Sequence, residues 1–310
     1  MDCHITRCSP MGSKETNAQI HPRLFCETLV QLMGDQLTIK YGAVTRMVFH
    51  KSDPHKVVGV DVYPNDNGHG NAPNGSRLRK SEVLPCDAVV IAMGPWSKQA
   101  FSWFPECAQL QHVSGTKANS IVVQPTFDRV DHDADHGLDD QNDIKMDDSH
   151  SNDGDGVSCF DGQLFLEHKA KNGKVVGGDG GIEVYPRPDG SVYSCCHSKN
   201  KPLPVDPSSI TNDERDSQMI YKGLQQLSSK YMANSKVLVK QACYLPGSAD
   251  GVPLIGPITG YSNAFVGTGH TCWGILNAPA TGMLLSEFVA DGKVTSFKKS
   301  VLRKWDPSRK

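Results

Sequence analysis

The 310-residue sequence has no long apolar run and no excess of basic charge. Its longest apolar stretch, Ala88–Met93, is far shorter than the about 20 residues that a membrane-spanning helix needs. Lys plus Arg number 32 and Asp plus Glu number 34, so no global basic field favours a nucleic acid as partner. The first residues show no basic segment followed by an apolar core, so no secretory signal is predicted and we expect a cytoplasmic protein.

Cysteine is sparse, and its spacing is not that of a structural site. There are ten cysteines in 310 residues, and no two have the CxxC spacing of a zinc or redox motif. This density excludes a disulfide scaffold. We expect reduced, mostly buried thiols, with the adjacent Cys195 and Cys196 on opposite faces of one strand.

One segment departs strongly from the average composition. Residues 128–155 hold eleven Asp against two basic residues, a local charge of −9. So acidic and polar a stretch predicts a disordered insertion. The spacing Asp131-x-Asp133-x-Asp135 is that of the start of a calcium loop, but Asn142 stands where such a loop needs Glu. A solvated loop without metal is therefore favoured, and no metal site is predicted.

Around this insertion, helical and strand-like patterns alternate. Apolar residues at helical spacing predict a helix over 21–33 with Pro22 in its first turn. The apolar run 87–92 is typical of a parallel strand covered on both faces, and Met93-Gly94-Pro95-Trp96 of the turn that follows it. The remaining predicted elements are strands over 37–40, 43–50, 57–62, 162–167, 182–196 (bent at Pro188-Asp189-Gly190), 237–244 and 264–266, a hairpin loop over 65–76, and helices over 97–104, from a Thr211–Glu214 capping box onward, and over 276–289. Parallel-type strands before the insertion and antiparallel ones after it predict α/β plus β-rich architecture in two intertwined domains.

Three motifs follow one another along the chain. The first is Asn17–Leu24 with Tyr41-Gly42-Ala43-Val44 after it, and the second is Asp87–Ser97. The third joins Ala249–Gly256 to Gly267–Gly282. Over residues 17–292 this order resembles the FAD-dependent glycine oxidase, D-amino-acid oxidase and sarcosine oxidase-like flavoproteins.

The resemblance implies an incomplete FAD-binding Rossmann-like domain intertwined with an antiparallel-sheet substrate domain. The FAD-binding part would comprise 17–107 and 246–292, and the substrate domain 108–127 and 156–245. Residues 128–155 would be the acidic insertion. Residues 293–310 would form a basic tail, which we expect to be solvated.

The resemblance also implies a set of cofactor contacts. A glycine-rich turn after a strand and before a helix leaves backbone N–H groups and the positive helix end free to face an electron-rich group, here the reduced flavin. His270 is the candidate catalytic residue; the alternative is that it only makes a hydrogen bond within the turn. The residues expected at FAD are Val44, Ala92, Gly94, Trp96, Asp250, Gly269, His270, Trp273, Gly274 and Ile275.

Two further positions bear on the cofactor and the substrate. Cys243 lies seven residues before Asp250, where sarcosine oxidase-like members carry the cysteine bonded to the flavin; the alternative is ordinary packing of a free thiol. The arginines that clamp a substrate carboxylate in amino-acid-specific members are replaced by Leu245 and Cys272. Glycine bound in the usual pose is therefore not the expected substrate. Other side chains could substitute for these arginines, and the candidates are Lys240, Tyr244 and Arg187.

The segment that holds the pyrophosphate in this family is not found. A strand followed by GxGxxG and a helix is absent, and the glycine cluster Gly177–Gly181 precedes a predicted strand instead. From the resemblance we therefore expect the sequence to correspond to the C-terminal two-thirds of such an oxidase. We predict an FAD-dependent oxidoreductase that acts on C–N bonds of a small amine or amino-acid-like substrate. The alternative is a non-catalytic interaction protein derived from that fold, with a role in membrane trafficking.

Overall fold

The computed structural model describes residues 15–64, 81–126, 164–166, 168–169, 175–176 and 181–309. The described residues form two compact units. The predicted hairpin loop over 65–76, the acidic insertion with its calcium-like spacing and most of the Gly177–Gly181 cluster lie outside these ranges. No helix in the described ranges is long and apolar enough to cross a bilayer.

Strands outnumber helices in the described chain. The helices are α1 (Pro22–Met33), α2 (Glu214–Leu227), α3 (Ser229–Met232), α4 (Gly274–Asp291) and α5 (Lys299–Trp305). The strands are β1 (Gly42–His50), β2 (Asp53–Pro64), β3 (Glu82–Pro85), β4 (Val89–Ile91), β5 (Ser114–Gln124), β6 (Leu164–Leu166), β7 (His168–Lys169), β8 (Val175–Val176), β9 (Ile182–Pro186), β10 (Val192–Asn200), β11 (Lys236–Gly247), β12 (Leu254–Pro257) and β13 (Ala264–Thr268).

The first unit comprises residues 119–197 and 212–241 and contains most of a five-stranded sheet with the order β11-β5-β10-β9-β6. Its apolar cluster joins alternate residues of β5, β9 and β10 to helix α2, as the two-residue period of strands requires. Ile121, Ile182 and Ile220 in this cluster are fully buried. Cys195 is half-buried and Cys196 is buried in the cluster, as expected for adjacent residues on opposite faces of a strand.

Two local predictions for this unit need correction. The predicted strand over 182–196 is a hairpin, because Gly190 takes a positive φ of 76° and the Asp189 carboxylate accepts from the Ser191 N–H at 2.9 Å. Helix α2 does not begin at a Thr211–Glu214 capping box. Its N-cap is Asp213, whose side chain accepts hydrogen bonds from the backbone N–H groups of Arg215 and Asp216.

The second unit comprises residues 15–118, 198–211 and 242–309 and contains two three-stranded sheets. Strands β1, β2 and β3 pair antiparallel in that order. In the other sheet, of order β12-β13-β4, β13 pairs parallel with β4 and antiparallel with β12. The predicted parallel strand is therefore confirmed, but the described residues do not cover it on both faces, because Val90 is 42% exposed. A cluster that includes Phe104, Leu110 and Leu254, all fully buried, forms the core beside it.

The elements predicted over residues 21–40 and 97–104 of this unit are only partly confirmed. Helix α1 forms where predicted and begins at Pro22, but none of its residues is buried. Its apolar side chains Leu24, Leu29, Val30, Leu32 and Met33 are between 40% and 78% exposed. The strand predicted over 37–40 does not form, since no described strand pairs with it. The helix predicted over 97–104 is a 3₁₀ helix, Gly94–Ser102.

The basic tail is packed rather than solvated, so this prediction was wrong. Helix α5 lies within it, and Leu302 and Trp305 pack against a cluster that contains Phe265 and Leu284. Near the end of the tail, the Arg309 side chain is only 11% exposed. Apolar residues at positions 301, 302 and 305 explain the docking, because they form one face of a short helix that the basic composition conceals.

The core of the first unit is expected to be sensitive to truncation of helix α2. Leu224 is 1% exposed and packs in the cluster with Ile220. Leu224→Ala should lower the free energy of unfolding by about 2–5 kcal/mol, because a cavity adds to the lost burial. Urea unfolding measures this, with Leu238→Ala on β11 as the control, since Leu238 is 47% exposed. Equal losses in both variants would contradict the packing described.

Candidate FAD site

Two glycine turns follow the two parallel strands of the second unit. Strands β4 and β13 pair in register, with Val89 opposite Ala264 and Ile91 opposite Val266. Parallel strands in register end at the same edge of a sheet. The turn after β4 and the turn after β13 are therefore neighbours, and the Thr268 hydroxyl donates a hydrogen bond of 2.8 Å to the Gly94 carbonyl oxygen between them.

Both turns depend on a glycine with a left-handed backbone. Gly94 has φ of 53° and Gly269 has φ of 83°. A methyl group at Gly94 would meet no atom within 4 Å, so this turn faces open space. A methyl group at Gly269 would lie 3.5 Å from Pro253 Cα and from Ser248 Cβ, so this turn packs on the loop before β12. The first turn leaves room for a ligand, and the second is supported from behind.

The β13 turn leads into helix α4 with apolar side chains exposed around it. A 3₁₀ turn over Thr271–Trp273 precedes Gly274, the first residue of α4. Trp273, Ile275 and Leu276 are 58%, 54% and 72% exposed. Thr271 has φ of 52°, a strained value for a residue that is not glycine. Such strain at the start of a helix is typical of a functional turn.

The His270 side chain makes a hydrogen bond to helix α4, so its contacts are not confined to the turn. Its Nε2 lies 2.9 Å from the Thr281 hydroxyl oxygen, in a hydrogen bond that crosses to the helix. The side chain is half-buried, and burial lowers the pKa of the imidazole below its ordinary value. The ring is therefore neutral at pH 7.

Asp250 lies in the loop before β12, beside the Gly269 turn. Its carboxylate accepts from the Val252 N–H at 3.0 Å and from the Arg309 guanidinium at 2.8 and 2.9 Å. The hydrogen bonds from Arg309 hold the pKa of this carboxyl well below its ordinary range. Both oxygens of Asp250 are thus occupied by protein donors, which indicates that the residue shapes the loop.

The other predicted contacts lie on the same unit. Val44, on β1, is partly buried and packs against the cluster that includes Ile91 and Val266. Ala92 is exposed at the end of β4. The Trp96 indole N–H donates to the Pro204 carbonyl oxygen at 2.7 Å, so that edge of the ring is engaged by protein.

The candidate substitutes for the missing arginines are engaged elsewhere. Lys240 forms an ion pair with Glu214 at 2.7 Å, and the Tyr244 hydroxyl donates to the Pro202 carbonyl oxygen at 2.7 Å. The Arg187 guanidinium lies over the Tyr193 ring, 5.4 Å from its centroid. Cys243 is solvent-accessible on β11, although its protein surroundings partly desolvate the thiol and raise its pKa.

Three residues of this region were not found from the sequence. Thr268 ties the two turns together, Thr281 ties His270 to helix α4, and Arg309 fixes the loop before β12. Thr268 and Thr281 lie inside the third motif, so their positions in the sequence are a signal for them. Arg309 is 59 residues from Asp250, and no local pattern connects them.

Two clefts of the described surface lie away from the glycine turns. One of about 280 Å³ is lined by residues that include Ile255, Phe288 and Leu302, and another of about 240 Å³ lies beside Glu106 and Arg309. Both border the C-terminal segment. Neither includes a residue that the sequence places at FAD.

The residues at the two turns fit the ring end of FAD. The open space at Gly94 allows a ring to approach the backbone, and Trp273 and Ile275 offer exposed apolar area. The start of α4 presents backbone N–H groups whose dipoles favour negative charge. A pyrophosphate loop with GxGxxG is not present among the described residues.

The two structural glycines of the β13 turn should respond differently to alanine. At Gly269 the positive φ makes alanine unfavourable by about 1–2 kcal/mol. At Gly274 φ is −58° and the nearest atom to an added methyl is His270 Cβ at 3.9 Å. We therefore expect Gly269→Ala to lower the urea midpoint and Gly274→Ala to leave it unchanged or slightly raised. Equal midpoints would contradict this backbone conformation.

The neutral state of His270 predicts a pH dependence of stability. The unfolded chain protonates this histidine at about pH 6.5, whereas the folded chain does so only at lower pH. The contribution of His270 is therefore lost as pH falls below about 6.5. Between about pH 7.5 and about pH 5.5, wild-type protein should lose more unfolding free energy than His270→Gln. Parallel pH profiles of the two proteins would show that His270 is not desolvated.

The comparisons with known proteins show the family and the fold of the chain. The model of the FAD dependent oxidoreductase family, DAO, matches residues 11–288. "Putative oxidoreductase C1F5.03c" of Schizosaccharomyces pombe is 27% identical over 296 residues, which cover 94% of this chain and 64% of that protein. "Putative oxidoreductase TDA3" of Saccharomyces cerevisiae is 26% identical over 319 residues, which cover 95% of this chain and 52% of that protein. The chain thus spans between half and two-thirds of the length of these curated relatives.

Solved structures share the fold at low sequence identity. Iminodiacetate oxidase from Chelativorans sp. BNC1 matches with a TM-score of 0.56 and 12% identity, over 92% of this chain and 58% of that one. Glycine oxidase from Geobacillus kaustophilus matches with a TM-score of 0.53 and 16% identity, over 88% of this chain and 53% of that one. The predicted family and fold class are confirmed. The chain belongs to the FAD-dependent oxidoreductase family of the DAO type.

Proposed function

We propose that this chain binds FAD at the paired glycine turns and takes part in the oxidation of a small amine or amino-acid-like substrate at its C–N bond. The observation that carries the proposal is the placement of Gly94 and Gly269 at one edge of a parallel strand pair, joined by Thr268. Ligands of open α/β sheets bind beyond the carboxyl ends of parallel strands. Solved relatives in fold include an iminodiacetate oxidase and a glycine oxidase, which supports an amine-type substrate.

The residues of this chain would position the cofactor and leave redox chemistry to it. When bound, FAD would supply the group that accepts a hydride, that is two electrons and one proton, from the substrate. Backbone N–H groups at the Gly269 turn and at the start of α4 would face the negative charge that reduction creates. Trp273 and Ile275 would pack on the ring and exclude water, since both are exposed apolar side chains beside the turn.

His270 would act in its neutral form. Its Nε2 is engaged with the Thr281 hydroxyl, so the remaining ring nitrogen, Nδ1, is the atom available to a ligand. As a neutral ring it adds no positive charge to the site at pH 7. We assign it the role of a hydrogen-bonding residue near the cofactor.

The substrate side of the proposal favours an amine without a clamped carboxylate. The two positions where the resemblance places carboxylate-binding arginines hold Leu245 and Cys272. Lys240 is paired with the Glu214 carboxylate, and the Tyr244 hydroxyl donates a hydrogen bond to the Pro202 carbonyl oxygen. Of the candidate substitutes, Lys240 and Tyr244 lack the fork geometry that grips a carboxylate, and Arg187, which has it, lies over the Tyr193 ring.

The domain boundaries and the location remain part of the proposal. We assign FAD contacts to the stretches 17–107 and 246–292, and substrate contacts to 108–127 and 156–245. Covalent attachment through Cys243 and the cytoplasm as the compartment are also expectations from the sequence. Acid precipitation of the flavin-loaded protein tests the covalent attachment.

Retention of FAD by the purified chain tests the proposed function. The chain is incubated with excess FAD and desalted, and the visible absorption and the quenching of flavin fluorescence are measured. Retained flavin is expected, with a dissociation constant that Gly94→Ala raises by about tenfold or more, because the added methyl occupies the open space at the turn. Colour that stays with acid-precipitated protein would indicate attachment through Cys243.

The control is Gly292→Ala. Gly292 has φ of 67° and no atom within 4 Å of an added methyl, but it lies at the opposite end of α4. It therefore carries the same backbone strain without facing the site, and its affinity for FAD should match that of wild type. Folded protein that retains no flavin would overturn the proposal and favour an interaction protein derived from this fold.

A further inference from the structure

The guanidinium of Arg309 has all of its hydrogen-bond donors engaged. Its Nε and Nη2 donate to the two carboxylate oxygens of Asp250 at 2.8 and 2.9 Å. Its Nη1 donates to the Pro253 and Asp306 carbonyl oxygens at 3.0 and 3.3 Å, and Nη2 also donates to the Val252 carbonyl oxygen at 2.5 Å. Five donors thus meet five acceptors, and four of these belong to the loop before β12.

This ion pair differs from the exposed ion pairs of the molecule. The Arg309 side chain is 11% exposed, whereas Arg23 and Arg46 in their ion pairs are 75% and 63% exposed. A bidentate pair with one partner largely buried is stronger and more directional than a surface pair. The directional hydrogen bonds between Arg309 and Asp250 hold the loop in place, which the attraction between the two charges alone would not do.

The tail that carries Arg309 is anchored independently of its guanidinium. The Gln109 side-chain amide donates to the Arg309 carbonyl oxygen at 2.8 Å. The Asp306 carboxylate accepts from the N–H and the hydroxyl of Ser308, both at 2.7 Å. Pro307 is buried. The backbone of the tail is therefore a fixed platform from which the guanidinium reaches the loop.

The loop in turn supports the glycine turn at the proposed flavin site. The Ser248 hydroxyl donates to the Val252 carbonyl oxygen at 2.7 Å, and Gly251 turns the chain with φ of 72°. Pro253 Cα and Ser248 Cβ lie 3.5 Å from the Cβ position of Gly269. Displacement of this loop would remove the surface on which the Gly269 turn rests.

We propose that Arg309 is a positioning residue: it holds the loop 248–253 so that the Gly269 turn keeps the conformation needed to receive the flavin ring. The flavin part of this inference rests on the function proposed above. Arg309 acts through Asp250 and the loop, and it does not itself touch the cofactor. Lysine cannot replace it, because an ammonium group cannot form the two parallel hydrogen bonds to a carboxylate and also reach two carbonyl oxygens.

Hydrogen exchange of the flavin-free chain tests the first half of the inference. In Arg309→Gln, the amides of 248–254 and 267–271 should exchange at least about tenfold faster than in wild type, because loss of charged hydrogen bonds releases the loop. The amides of β1 and β2 should be unchanged. Arg309→Lys should resemble Arg309→Gln, and added methylguanidinium should restore protection in Arg309→Ala.

Arg303→Gln is the matched control. Arg303 lies on the same tail, is exposed and borders one of the clefts away from the turns. The Arg303→Gln substitution removes the same charge as Arg309→Gln but does not affect a contact with the loop 248–253. The exchange pattern of this variant should therefore equal that of wild type. Faster exchange over the whole second unit in Arg309→Gln would show general destabilisation and overturn the positioning role, as would unchanged exchange of the loop.

The affinity for FAD tests the second half and separates it from the proposed function. With wild-type protein that binds FAD, Arg309→Gln should raise the dissociation constant about tenfold and shift the visible spectrum of the bound flavin, whereas Arg303→Gln should do neither. A mobile loop with unchanged affinity and spectrum would overturn the positioning role. Wild-type protein that binds no FAD would overturn the proposed function, while the exchange experiment would still decide whether Arg309 controls the loop.

Discussion

The parallel pairing of β4 with β13 is the constraint on which the candidate site depends. Each strand alone ends in an ordinary glycine turn, but their register brings Gly94 and Thr268 within hydrogen-bond distance. The same pairing aligns the start of helix α4 with the end of β4. A shift of the register would separate the two turns, and the first would lose its link to the second. The site is thus a property of strand pairing more than of any one side chain.

A second layer of contacts holds this arrangement from behind. The Gly269 turn rests on the loop before β12, and Arg309 fixes that loop. His270 is tied to Thr281 on α4, so the turn is held on both sides. The strained φ of Thr271 lies between these two supports. Surrounding contacts of this kind are what keep a strained backbone in place.

Much of the site could be predicted from the sequence because its signals are local. An uninterrupted apolar run predicted β4, and the glycines after it predicted the turn. The long third motif placed the β13 turn and helix α4, and the structure begins α4 only two residues before the predicted start. Periodicity and glycine positions are enough for such elements.

Two of the failed predictions depend on residues far along the chain, and one concerns a choice between neighbouring residues. Residues 37–40 have an apolar alternation typical of a strand, but pairing decides whether a strand forms, and no described strand is available there. A capping box at Thr211 was predicted for helix α2, but Asp213, two residues nearer the helix and of a type preferred over threonine at this position, is the N-cap. The basic tail was assigned to solvent from its composition, although Leu302 and Trp305 anchor it and Arg309 meets a carboxylate 59 residues away.

The pairing of β4 with β13 also affects the rate of folding. Val89 and its partner Ala264 are 175 residues apart along the chain, so the edge that carries both turns can close only after both strands have been synthesised. Contacts of such high sequence separation slow folding, because the entropy of closing the loop is lost before the pairing is gained. That entropy grows only with the logarithm of loop length, so the acidic segment between the two strands adds little to the barrier. The length of that segment therefore has little influence on the entropy lost when the strand pair forms.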